Sequence, residues 1–274
     1  MPIETQHVEL DEIMESIGAA GRRLSDIDAS EGSAGNISVY IGWEVDPRRQ
    51  FPGTQVIELP LAVPELSGKS FLVTGSGRRL RDIDKDPAAN LGFIRVEAGG
   101  KTGVLYTSPN CLFSRVTSEF NSHLAVHRDQ VNWTGTSFHA VIHAQPPYLT
   151  YLSHIPRYQD GERLNQHVLR WQPETIVHLP EGIGFIPFLV PGSAELMEAT
   201  SQALRVHRLV VWARHGVMSR SDVSVTRASD RIEYAEAGAR YEYMNLLNNE
   251  QSAGMSAEEI RAICTAFGIQ QNIF

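Results

Sequence analysis

The sequence predicts one mixed α/β domain spanning residues 1–274. Three observations carry that expectation. Short apolar runs such as Phe71-Leu-Val-Thr74 and Leu209-Val-Val-Trp212 have the length and flanks of buried strands. Between them lie stretches with an apolar residue every three or four positions, the period of a helix with one face in a core. No repeat, low-complexity tract or Ser/Pro/Gly linker divides the chain into two cores.

In chain order, Leu10, Ile13, Met14, Ile17 and Leu24 recur at helical spacing and predict a first amphipathic helix that ends in 26–30, where capping and turn residues cluster. A glycine turn at 31–35 leads into a strand over 36–41. Residues 42–70 hold four prolines and little periodicity, and read as a long excursion of the kind that is often functional. A buried strand at 71–74 enters Gly75-Ser-Gly77, and 92–97 with 102–106 form a hairpin around Gly99-Gly100. A helix is expected over 118–128, a strand over 137–143 feeding a helix from Pro147, and a short strand over 174–178. A helix over 194–206, a strand over 209–212 and a long helix over 226–247 follow. Ser256-Ala-Glu-Glu259 fits a capping box that opens the last helix.

Apolar residues are 42% and charged residues 20%, which excludes a disordered tail, a collagen and a coiled-coil rod. The net charge of −8 argues against nucleic acid as the main partner, because a phosphate-binding surface needs a basic excess. No window approaches the ~18 apolar residues that span a bilayer, so no membrane association is expected. The first residues lack a basic start and an apolar stretch, so no signal peptide is expected and the expected location is the cytoplasm. Two cysteines, Cys111 and Cys264, cannot make a disulfide framework or a thiolate zinc cluster.

Ten histidines are the raw material for chemistry. His143 and His215 each follow an apolar strand, and two strand-end imidazoles with one carboxylate would suit zinc. A rival lies on the 118–128 helix, where Glu119, His123 and His127 are four apart and share a face, although Glu119 stands outside the pair and the metalloprotease pattern is not met. His139 and His143 share a strand face about 13 Å apart, too far for one metal, so His139 reads as structural. Ser33-Ala-Gly-Asn36 and Thr74-Gly-Ser-Gly77 offer backbone amides and small hydroxyls that could cradle a phosphate, and by spacing alone they are also ordinary turns.

Taken together these segments resemble the class II aldolases of the aldolase/adducin superfamily, within its sugar-phosphate branch. The carriers are Gly35-Asn-Ile-Ser38, Phe71 to Gly77, Asp86-Pro-Ala-Ala-Asn-Leu-Gly92, Thr117-Ser-Glu119, Ala140-Val-Ile-His143, Val190-Pro-Gly-Ser193 and Trp212 to Val217. The resemblance implies a central, mainly antiparallel sheet between helical layers. It also implies a homotetramer with active sites at subunit contacts, one zinc per subunit and a phosphorylated ketose as substrate. It implies His143 and His215 as ligands, Glu119 as catalytic acid/base, and Ser33, Asn36, Ser76, Gly77, Thr117 and Ser118 around the phosphate. The activity implied is retro-aldol cleavage of a ketose 1-phosphate. An epimerase or dehydratase on the same scaffold and a non-catalytic adducin-like scaffold are the alternatives.

One position departs from the pattern. The family motif is His-x-His, and this chain has His143-Ala-Gln145. Either Gln145 ligates through its amide oxygen, or another imidazole such as His154 replaces it, or the metal site is weakened. Glu174 lies where relatives place a further active-site carboxylate. The three lysines, Lys69, Lys85 and Lys101, lack the apolar strand-end setting of a Schiff-base lysine, which disfavours a class I aldolase.

Overall fold

A computed structural model describes residues 8–274. Among them, nine strands form one sheet in the order β2-β5-β4-β3-β1-β6-β9-β8-β7. The strands are β1 (Asn36–Ile41), β2 (Gly53–Glu58), β3 (Ser70–Thr74), β4 (Leu91–Val96), β5 (Thr102–Thr107), β6 (Phe138–Ala144), β7 (Gly184–Ile186), β8 (Leu209–Trp212) and β9 (Gly216–Ser221). Every neighbouring pair is antiparallel except β7 and β8, so the expected α/β class with a mainly antiparallel sheet is the fold observed.

Helices cover both faces. On one face, α1 (Leu10–Asp26) and the long α9 (Val225–Leu247) pack together, with α5 (Pro147–Leu152), α6 (Gly161–Val168), α7 (Pro173–His178) and α10 (Ala257–Phe267) against α9 or one another. On the other face α4 (Phe120–Thr134) lies against α8 (Ala194–Val206). Two one-turn helices, α2 (Leu80–Ile83) and α3 (Pro87–Asn90), fill the corner beside α1. This covering explains why the central strands lack alternation: every residue of β1 and β3 is buried, and a strand buried on both faces reads as an unbroken apolar run. The ends of α1 and α10 follow local chemistry. Each starts on a capping box, Glu9 with Glu12 and Ser256 with Glu259, and the Leu10, Ile13, Ile17 and Leu24 face of α1 enters the core.

Two expectations are corrected. The stretch 174–178 is the helix α7, not a strand: Pro173 occupies the first turn behind the extended Gln172, and the short strand of this region is β7. The excursion 42–70 contains an edge strand, β2, and a 3-10 turn at Pro64–Leu66. β2 pairs on one side only, with β5, and most of its residues are exposed, so no buried face imposed an apolar alternation on its sequence. The helix expected over 118–128 starts at Phe120 and runs to Thr134, where Gly135 takes the left-handed conformation and stops it. No helix among the described residues is long and apolar enough to cross a membrane.

Candidate metal and anion site

The two middle strands bring the site together. β1 and β6 pair so that Asn36 stands opposite His143. β9 pairs with the other side of β6, and the turn leading into it carries His215. Across β1, Gly75 bridges to Val116, and the Thr117 amide donates to the Thr74 carbonyl at 3.0 Å. That bridge draws Thr117-Ser118-Glu119 over the ends of the strands just before α4 begins. Four segments distant in sequence therefore meet at one rim of the sheet.

The convergence is tight. Glu119 Oε2 lies 3.5 Å from His143 Nε2, and Glu119 Oε1 lies 3.6 Å from His215 Nε2. Ligating atoms of the three residues are all within 4.8 Å of one another. His143 is buried and stacked on Trp212, with ring centroids 4.8 Å apart. Its Nδ1–H donates to the Val217 carbonyl at 2.8 Å, which orients the ring with Nε2 facing Glu119. Burial, and then His143, push the pKa of His215 down to about 4 against the opposing pull of Glu119, so at neutral pH this imidazole offers a lone pair. Burial acts to raise the pKa of Glu119, but His143, the Asn36 amide and His215 outweigh it and hold the carboxyl below its ordinary value. Asn36 Nδ2 donates to Glu119 Oε2 at 2.7 Å.

Two imidazole nitrogens face one carboxylate at distances too long for good hydrogen bonds, the arrangement of ligand atoms around a shared positive centre. A divalent cation between them supplies one, and N2O donors suit zinc or a neighbouring transition metal. Gln145 lines the same cavity and its side-chain amide makes no hydrogen bond among the described residues, so its oxygen is available as a further donor. His154 is exposed beyond α5 and does not line the cavity, so it does not supply a substitute imidazole. Glu174 is exposed on α7 and does not line it either.

The rival group on α4 is a core network. The Ser38 hydroxyl lies 2.7 Å from both His123 Nδ1 and His127 Nε2, and His127 Nδ1 lies 2.8 Å from His139 Nδ1. All three rings are fully buried, and burial drives each pKa far down, His123 and His139 to about 3. His123 and His127 therefore do not share a metal with Glu119, and His139 is structural as expected.

The cavity holds about 350 Å³ and is lined by all six residues expected around a phosphate, Ser33, Asn36, Ser76, Gly77, Thr117 and Ser118. The hydroxyls of Ser33, Ser76 and Ser118 and the amides of Gly77 and Ser118 make no hydrogen bond among the described residues, which leaves five donors for an anion. One wall was not foreseen. Arg78 lines the cavity with its guanidinium braced by Asn90 Oδ1 at 2.8 Å and the Leu112 carbonyl at 3.3 Å, so the cradle is not wholly neutral. Its signal was available, an arginine one residue past the Gly75-Ser-Gly77 turn.

Backbone proximity limits the site as much as side chains do. A Cβ on Gly216 would fall 2.4 Å from the Ala144 carbonyl oxygen, 3.1 Å from Gln145 Cγ and 3.2 Å from His143 Cε1. Gly216→Ala is expected to displace the β6 end and weaken divalent-metal binding by roughly tenfold or more, measured by competition with a chromogenic chelator. Unchanged affinity would show that the strand ends tolerate a shift without moving the ligands.

Residues 15–243 match the family model described as Class II Aldolase and Adducin N-terminal domain. The chain is 29% identical over 242 residues to a rhamnulose-1-phosphate aldolase of Bacteroides thetaiotaomicron, a match covering 88% of each chain. It is 33% identical over 212 residues to one from Listeria monocytogenes, covering 75% of this chain and 74% of that relative. Among solved structures it is similar to a sugar-phosphate aldolase from Thermotoga maritima, with a TM-score of 0.75 and 26% identity over 89% of this chain and 99% of that one.

Proposed function

The chain belongs to the class II aldolase and adducin family, whose aldolases are metal-dependent lyases, and on that premise we propose that it cleaves L-rhamnulose 1-phosphate to dihydroxyacetone phosphate and L-lactaldehyde. The observation that carries the reading is the pair of imidazoles, one from β6 and one from the turn before β9, converging on the Glu119 carboxylate beside a donor-lined cavity. In this reading zinc is held by His143, His215 and the Gln145 oxygen, with Glu119 alongside. The whole of 1–274 acts as one domain, in a cytoplasmic homotetramer with sites at subunit contacts.

Each residue then has a task. The free amides of Gly77 and Ser118, with the hydroxyls of Ser33, Ser76 and Ser118, hold the substrate phosphate, and Asn36 and Thr117 complete the wall. Arg78 adds charge at the mouth. Breaking the C3–C4 bond requires loss of the C4 hydroxyl proton and gain of a proton at C3. Glu119 rests as a carboxylate, so it enters as the base at the C4 hydroxyl and then carries that proton toward C3. When bound, zinc supplies Lewis-acid stabilisation of the negative charge left on the three-carbon ketone half.

The test is metal content of the purified protein together with cleavage assays on L-rhamnulose 1-phosphate and L-fuculose 1-phosphate. Stoichiometric zinc and release of a three-carbon phosphate from the first substrate are expected. Protein that holds no divalent ion and cleaves neither ketose would overturn the reading. Gln145→His replaces a neutral oxygen donor by an imidazole and is expected to tighten zinc about tenfold or more, read by chelator competition. An unchanged zinc affinity would mean that position 145 does not reach the ion.

A further inference from the structure

None of the residues in the Asp86-Pro-Ala-Ala-Asn-Leu-Gly92 run lines the catalytic cavity, yet the run grips one that does. The Asp86 carboxylate caps α3 by accepting from the Ala89 amide at 3.2 Å, and Asn90 ends that helix where β4 begins. Asn90 is 2% exposed, and its Nδ2 donates to the Asp86 carbonyl at 2.8 Å. From there it holds the Gly75–Arg78 turn twice. Its carbonyl accepts from the Gly75 amide at 2.9 Å, and its Oδ1 accepts from Arg78 Nε at 2.8 Å. The turn is closed by the Arg78 amide on the Gly75 carbonyl at 3.2 Å and pinned by the Ser76 amide on the Arg115 carbonyl at 2.8 Å.

The second brace on the Arg78 guanidinium is tied to the same helix. It is the Leu112 carbonyl, at 3.3 Å from one terminal nitrogen, and the Leu112 amide donates to the Ala89 carbonyl at 2.9 Å. Both groups that hold the guanidinium are neutral oxygens, and Arg78 forms no ion pair among the described residues. Its other terminal nitrogen makes no hydrogen bond among them either. Of the residues that line the cavity, Arg78 is the one Arg or Lys and Glu119 the one carboxylate.

Hydroxyls and amides solvate an anion but carry no net charge, so by themselves they do not offset the repulsion between a dianion and Glu119 in the same cavity. A guanidinium is charged at every working pH, and braced by neutral oxygens it keeps that charge for a ligand. Its planar fork also matches a pair of phosphate oxygens. We propose that Arg78, positioned by Asn90, is the residue by which the site selects a dianionic phosphate ester over a monoanion or an uncharged sugar. The substrate named here rests on the aldolase reading, but the charge preference belongs to the cavity and is measured without turnover.

Glycerol phosphate, a monoester with a second pKa of about 6, is titrated by calorimetry at pH 5.5 and 7.5 into wild type, Arg78→Met, Arg78→Lys and Asn90→Ala. Wild type should bind about threefold more weakly at pH 5.5, where most of the ester is a monoanion. Arg78→Met should lose about tenfold or more at pH 7.5 and show a shallower pH dependence. Arg78→Lys restores the charge without the fork and should fall between the two, and Asn90→Ala should weaken binding in the same direction. In cleavage assays the Arg78→Met loss should fall on KM more than on kcat, and the preference for the 1-phosphate over the free ketose should narrow. Arg78→Met binding within about twofold of wild type at pH 7.5 would overturn the proposal. So would Arg78→Lys no better than Arg78→Met with a parallel loss of divalent-metal affinity, the mark of a collapsed turn. Asn90→Ala that binds like wild type would remove Asn90 as the positioning residue. Binding that depends on Arg78 in a protein that cleaves no ketose would defeat the aldolase reading alone; cleavage with an unchanged KM in Arg78→Met would defeat this proposal alone.

Discussion

Glu119→Gln is expected to lower kcat for ketose 1-phosphate cleavage by about a hundred- to ten-thousand-fold, the usual weight of a positioned general base or acid. The change is close to isosteric. A Gln oxygen can still accept the 2.7 Å hydrogen bond from Asn36, so the segment before α4 keeps its anchor. The imidazoles also survive: His143 is held by the Val217 carbonyl and by Trp212, neither of which involves position 119. What disappears is the ability to accept and return a proton beside the strand ends. The measurement is kcat and KM of metal-loaded variant and wild type, with metal content determined on the same samples. A large fall in kcat with near-normal metal content supports the assignment. Activity within a few-fold of wild type would remove Glu119 from the proton path.

Glu242→Gln is expected to be the most damaging single change to the fold that leaves the active site untouched. Glu242 is fully buried in α9 and accepts from four donors: the Tyr158 hydroxyl, His167 Nδ1 at 2.8 Å, Arg170 at 2.9 Å and Trp171 Nε1 at 3.1 Å. One carboxylate thus ties the 158–171 segment to the long helix. Burial acts to raise its pKa, but His167, Tyr158 and Arg170 overcome this and hold it at about 2. Because the folded value lies below the unfolded one of 4.5, the ionised group stabilises the fold above that pH. The contribution fades as pH falls from there toward 2. Substitution leaves the half-buried Arg170 without its anion and the fully buried position 242 without its charge-assisted bonds, a loss of about 3–5 kcal/mol. At this chain length that corresponds to roughly 6–20 °C in Tm. Tm measured from pH 3 to 7 should show a wide gap between wild type and variant above pH 5 that narrows below pH 4. A gap that does not change with pH would mean that packing, not charge, is what the variant loses.

Much of this molecule was legible in its sequence, and the parts that were not share a physical reason. The central strands and the α1 face announced themselves because burial on both sides, or on one helical face, leaves an apolar record at a fixed period. His143 and His215 stood out because each imidazole ends an apolar run. Their meeting with Glu119, however, depends on the β1–β6 register and the bridge from Gly75 to Val116, which local patterns do not encode. β2 left no record because water faces it. The 174–178 stretch looked like a strand from its apolar centre, and Pro173 and the packing against α9 decided for a helix. The aldolase resemblance supplied the residues expected around a phosphate, which their own spacing presents equally well as turns.

The rim where Asn36, Glu119, His143 and His215 meet joins stretches drawn from nearly the whole length of the polypeptide. Such a pocket cannot nucleate early in folding, because the loops that must close before it exists are long. A zinc finger folds around its ion; here the ion would arrive last, in a cage whose walls already stand, so a nascent or half-unfolded chain has no grip with which to capture it.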